Sequence, residues 1–333
     1  MPLKNFVFIV NFGEICANMT KDHMINTFRY ISRGLFLVFC GAISVFCAKA
    51  PTGACEGGLP VVFSDISIET KADPEQKGFV AGDEIAVSAY HVPNGSEIMY
   101  NQKVSYNGTL WSYSPLAYYP VGEGTSASFF AYYPYNQQNN TSTGVKLDQG
   151  MTSGEPSFTF TLNSSANVDL MAAVKRTHTY EDGPVPLVFR HLLGQVQYRF
   201  AVSDEGGFSY IVNKMILTNA SKEGKYVWAT DKFSVTAGKT MEVQVGSDDK
   251  EYLVNTTKPI LIEDFTMYLL PGKMGSLTVG INNEEPQTID LSEITIESGK
   301  SITLTFGIGM TGIKFSTSIT NWNDGGTANG NIR

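Results

Sequence analysis

Three histidines follow residue 55, His91, His178 and His191, and none stands in an HxH or HExxH pattern or beside an acidic residue at metal-ligand spacing. Each is therefore read as a surface or core-rim side chain. Gly238-Lys239 and Gly272-Lys273 lack the rest of a phosphate-binding loop, and no GxSxG elbow is present. Asp83-Glu84 and Glu284-Glu285 are paired carboxylates, but a glycosidase needs two acids facing one another across the scissile bond. Neighbours on a strand point to opposite faces. These residues argue against an enzyme and call for no metal or cofactor.

The residues that remain suit binding. Trp111-Ser-Tyr113-Ser-Pro115-Leu-Ala-Tyr118-Tyr119-Pro120 and Phe129-Phe130-Ala131-Tyr132-Tyr133-Pro134-Tyr135 are dense aromatic runs. Flat rings cover sugar faces at low entropic cost, which makes Trp111, Tyr113, Tyr132 and Tyr133 candidate glycan contacts. The competing reading, which we prefer, is paired core strands with tyrosine hydroxyls at a wet rim.

Elements that could position these side chains are strands. Apolar residues recur with a period of two in Ile85-Val87-Ala89, Val196-Tyr198-Phe200-Val202, Met241-Val243-Val245, Leu277-Val279-Ile281 and Ile302-Leu304-Phe306-Ile308, so each has one buried face. Turn signals lie between them: Pro93-Asn94-Gly95, Asn107-Gly108, Pro271-Gly272 and Asp324-Gly325-Gly326. Asp169 to Lys175 is compatible with a short helical turn, and nothing longer carries a helical stripe, so parallel α/β folds with helical crossovers are excluded. The kinked polar segment Glu181-Asp182-Gly183-Pro184-Val185-Pro186 is the expected domain boundary. The organisation expected is a leader over 1–54, an N-terminal β-sandwich over 55–184 and a C-terminal one over 185–333.

The chain carries a formal charge of −8, and its first 55 residues hold five basic and two acidic side chains, leaving −11 on the remainder. A nucleic-acid partner is excluded, because phosphate binding needs a basic footprint. All four cysteines, Cys16, Cys40, Cys47 and Cys55, lie at the front, so the body beyond Cys55 holds no internal disulfide. The uncharged apolar run of residues 35–48, preceded by Arg29 and Arg33, has the layout of a secretory signal. Met24 is an alternative start. Thr52-Gly53-Ala54 places small residues before Cys55, which makes Cys55 a candidate lipid anchor to the outer membrane. Ordinary cleavage after Ala50 or Ala54 is the alternative.

Seven segments, taken in order, resemble the fimbrillin family of Bacteroidota. They are Glu69-Thr70-Lys71-Ala72; Phe79-Val-Ala-Gly-Asp83-Glu-Ile85; Trp111 to Pro120; Phe130-Ala131-Tyr132-Tyr133-Pro134; Asp169-Leu170-Met171-Ala172-Ala173; Leu187 to Val196; and Gly312-Ile313-Lys314 to Ile319-Thr-Asn-Trp322. The resemblance implies two transthyretin-like Greek-key sandwiches, export as a lipoprotein, and a fimbrial subunit or fimbria-associated adhesin whose partners are other subunits. It implies cleavage by a trypsin-like protease between Lys71 and Ala72, releasing a strand that contains Val61, Phe63, Ile66 and Ile68. A free sheet edge beside an apolar groove would then accept a neighbour's strand. The alternative function is a surface lipoprotein that binds glycans without polymerising.

Overall fold

The computed structural model describes residues 58–69, 78–120, 122, 125–137, 143–148, 156–163, 167–204, 206–246 and 250–321. Among these the regular structure is β throughout, apart from two single 3₁₀ turns at Tyr180–Asp182 and Glu263–Phe265. No helix among the described residues is long and apolar enough to cross a membrane.

The first lobe is built from β1 (Phe63–Ile68), β2 (Glu84–Val92), β3 (Glu97–Tyr106), β4 (Trp111–Ser112), β5 (Ser126–Tyr133), β6 (Val145–Leu147), β7 (Ser157–Thr161), β8 (Met171–His178) and β9 (Val185–His191). Seven of these strands form one sheet in the order β1-β9-β8-β5-β2-β3-β4. The sheet rolls until its ends meet: Phe63 of β1 lies edge-on to Tyr113, just past β4, with ring centroids 5.5 Å apart. Inside the roll, Ile85, Val87, Ala89, Phe129, Ala131, Leu187 and Phe189 make one buried cluster. Alternation supplies the other face, where Ala86, Tyr90, Phe130 and Tyr132 pack against Phe158, Phe160, Tyr226 and Trp228.

The second lobe contains β10 (Gly194–Val202), β11 (Tyr210–Ser221), β12 (Glu223–Val227), β13 (Lys232–Val235), β14 (Thr240–Gln244), β15 (Tyr252–Val254), β16 (Ile260–Leu261), β17 (Met267–Leu269), β18 (Gly272–Lys273), β19 (Ser276–Ile281), β20 (Gln287–Asp290), β21 (Thr295–Ile296), β22 (Lys300–Gly309) and β23 (Gly312–Asn321). One layer runs β16-β10-β22-β23 with β17 beside β10, and the other runs β14-β11-β19-β20 with β15 beside β11. Tyr198, Phe200, Leu304 and Phe306 from the first layer and Met215, Leu217, Leu277 and Val279 from the second are fully buried between them. A sandwich core is closed in this way from both sides.

Two local assignments differ from the sequence reading. Residues 171–175 are strand rather than helical turn, because β8 lies between β5 and β9 and pairs with both. The segment at 181–186 does turn the chain, but the strand after it stays in the first sheet, where β9 pairs with β1 and β8. The hairpin β12–β13, from the C-terminal half, joins β6 and β7 in a four-stranded sheet. The described residues accordingly belong to one compact unit.

Candidate functional site

The leading strand closes the roll. Its first residues pair antiparallel with the segment after β4: Val61 N donates to Ala117 O and Tyr119 N donates to Leu59 O, each at 2.9 Å, around a Pro60–Tyr118 bridge. Its later residues switch partner and run parallel to β9, with Ile66 opposite Leu187 and Ile68 opposite Phe189. Val185 N donates to Val62 O at 2.8 Å, and the Tyr113 hydroxyl donates to Val61 O at 2.8 Å. The segment is thus held along both edges.

Its side chains explain the direction of burial. Val61 and Phe63 are 1% and 5% exposed, while Val62 between them is 51% exposed. Strict alternation would next bury Asp65. The register instead shifts between Phe63 and Ile66, with Asp65 at φ +53°, a bulge that inserts one residue. Ile66 and Ile68 are thereby returned to the inner side, half-buried against the same cluster. An aspartate is among the few non-glycine residues that take the left-handed conformation readily.

Phe63 sits between Tyr113 and Phe129, at 5.5 and 6.0 Å. Full burial of a valine and a phenylalanine is worth roughly 3–6 kcal/mol together. That is a large share of the ~5–15 kcal/mol by which a domain is stable. Taking the strand away would open a slot lined by Val185, Leu187, Phe189 and Phe129, flanked by the orphaned backbone groups of β9 and residues 117–119. Both defects are those a second strand repairs.

At one end of the slot stands a polar clasp that no motif announces. Tyr119, whose amide holds Leu59, is 2.8 Å through its hydroxyl from Nδ1 of His178, which is 1% exposed. Burial pushes the His178 pKa down, with Lys175 adding to the effect, while Asp182 and a backbone bond to Pro184 oppose it. His191 also finds an acid, Asp169 Oδ1 at 2.9 Å from Nδ1. These partners lie 59 and 22 residues apart in the chain, too far for a spacing argument to join them.

The candidate aromatics do not share one plane. Tyr132 and Tyr133 are neighbours on β5 and point to opposite faces: Tyr132 is buried, its hydroxyl donating to Asn101 Oδ1 at 2.8 Å, whereas Tyr133 packs inside the roll and donates to Asp83 Oδ1 at 3.1 Å. Trp111 stacks on Tyr106 at 4.9 Å and meets Phe79 edge-on at 5.2 Å. Tyr113 is committed to Val61 and Phe63. Three of the four rings thus support the closing strand or its barrel, and the fourth belongs to the other core. Cys55, Lys71 and Ala72 lie outside the described residues.

These features define an all-β, two-lobed protein with a closing strand at its front. The chain belongs to the fimbrillin-like family, whose sequence profile matches residues 70–322. Its fold is similar to that of a putative cell adhesion protein from Bacteroides uniformis, at 17% identity and a TM-score of 0.55, over 79% of this chain and 96% of that one. A fimbrial protein from Bacteroides vulgatus matches at 16% identity and 0.55, over 79% and 99%. A putative cell adhesion protein from Bacteroides ovatus matches at 15% and 0.55, over 81% and 99%. No curated protein matches the chain.

Proposed function

We propose that this chain is a non-enzymatic subunit, or associated adhesin, of a cell-surface fimbrium, and that it joins other subunits by exchanging its leading strand. The observation that carries the reading is that Val61 and Phe63 plug a barrel whose remaining strands already form a continuous sheet. Family membership and the fimbrial and adhesion neighbours support the same class. In this reading Cys55 carries the lipid that tethers the exported precursor to the outer membrane. Cleavage between Lys71 and Ala72 then cuts the chain after β1, between a strand that must leave and a sheet that must stay.

A donor needs alternate apolar residues on a strand that can detach. The edge strand β23 fits: Ile313, Phe315 and Ile319 lie on its inner side, yet Phe315 and Ile319 are 40% and 47% exposed. Because donor and acceptor are different surfaces, the joint is heterologous and propagates.

The test is native trypsin digestion of the mature protein, followed by mass spectrometry and electron microscopy. The expected result is a cut after Lys71 and the growth of ladders or filaments. A protein cut there that stays monomeric would overturn the exchange mechanism and leave a non-polymerising surface lipoprotein.

A further inference from the structure

Where the two lobes meet, a cavity of about 450 Å³ opens between the end of β1, the Gly78–Asp83 loop, the end of β5 and Tyr268 of β17. Its size falls within the range of about 300–1,000 Å³ typical of small-ligand sites. Phe79, Tyr133 and Tyr268 give it aromatic walls, and Ile68 and Met171 an apolar floor. Phe79 and Tyr133 meet edge-on, with centroids 5.5 Å apart. Two carboxylates, Asp83 and Asp169, face the same space, and its described lining contains no lysine or arginine.

Both acids are positioned by donors. Asp83 accepts from the Val80 amide at 2.6 Å and from the Tyr133 hydroxyl at 3.1 Å, and Asp169 Oδ1 pairs with His191 Nδ1 at 2.9 Å. A carboxylate has about four lone-pair directions, so each keeps capacity for a further donor. Asp83 and Asp169 are the acidic side chains of the described lining. Burial first, and then the charge of Asp83, hold the Tyr133 hydroxyl firmly protonated, and burial followed by Asp169 does the same for Tyr268.

Apolar floor, aromatic walls and carboxylates together suit a cation on an apolar stem: ring faces attract an ammonium and the stem covers apolar surface. We propose that this cavity is a receptor for a lysine side chain presented by a partner polypeptide. Ile68 belongs to β1, so the site is one of the protein whose leading strand is still in place, and its test does not require strand exchange.

Titrating the intact mature protein with Nα-acetyl-lysine N-methylamide, read by tyrosine fluorescence, tests it against the norleucine analogue, which has the stem without the charge. Lysine should bind saturably and norleucine about tenfold more weakly, a difference of about 1.4 kcal/mol. Asp169→Asn should weaken lysine binding about tenfold, because the amide still accepts from His191 but no longer supplies charge. Tyr268→Phe, which keeps the ring, should weaken it less. A thermal melt unchanged from wild type verifies that each variant is folded. Equal binding of the two analogues, no saturable binding of either, or full affinity in a folded Asp169→Asn variant would each overturn the proposal.

Discussion

At the residue scale, the closing strand depends on a few side chains that do different work. Phe63→Ala removes a buried ring from between Tyr113 and Phe129 and should cost about 3–5 kcal/mol in a urea titration. Asp65 acts through its backbone. At φ +53° a Cβ without a polar side chain costs about 1–2 kcal/mol, so Asp65→Val should destabilise by that amount and Asp65→Gly by much less. The paired melts of the two variants check this. The family resemblance placed Val61, Phe63, Ile66 and Ile68 on the strand to be released, yet their facing and the odd-to-even change between 63 and 66 were not legible, since nothing local marks Asp65 as a bulge. His178 was legible only as an isolated histidine. Its role in the clasp with Tyr119 comes from tertiary packing. With its folded pKa held below the ordinary value near 6.5 by burial, the unfolded chain binds a proton more readily than the folded one. The stability present above pH ~6.5 is then lost as the pH falls towards the folded pKa. Melting curves from pH 7.5 to 5 should decline more steeply for the wild type than for His178→Gln. Parallel curves would contradict the assignment.

At the element scale, alternation carried most of the information. Each of the five period-two segments read from sequence falls on a strand, and their inward residues, such as Ile85, Val87, Ile302 and Leu304, are buried, except that Met241 is half-buried and Val245 lies just past the end of β14. Residues 169–175 were ambiguous because a short apolar run fits a buried strand as well as a turn of helix. Only the presence of β5 and β9 on either side resolves them. The second aromatic run was legible as strand, whereas in the first only Trp111–Ser112 is strand. What could not be read was which face each ring takes, and therefore that Trp111, Tyr113 and Tyr133 support the roll while Tyr132 belongs to the opposite core. The closing strand is the element on which function is proposed to turn. Losing it should expose the Phe129–Phe189 slot, so a protein that begins at Gly78 should bind a hydrophobic dye much more strongly than the mature protein does. Dye binding indistinguishable from that of the mature protein would mean that the roll closes without β1.

At the scale of the whole molecule, the boundary expected at residue 184 illustrates what local pattern leaves open. A period of two identifies Val185, Leu187 and Phe189 as one face of a strand, but says nothing about the sheet that strand will join. Here β9 completes the first sheet, and β12–β13 from the C-terminal half completes its partner. Since each half of the sequence supplies strands to the first lobe, calorimetry should show one cooperative unfolding transition, and residues 185–333 expressed alone should fail to fold. Two well-separated transitions would contradict this. Function turns on whether the leading strand is a replaceable plug. This is tested most directly by adding a peptide spanning residues 58–69 to the protein that begins at Gly78 and measuring binding calorimetrically. A replaceable strand should bind saturably and one-to-one, abolish the extra dye signal, and lose at least about tenfold in affinity when the peptide carries Phe63→Ala. An absence of binding, or equal binding of the two peptides, would contradict it.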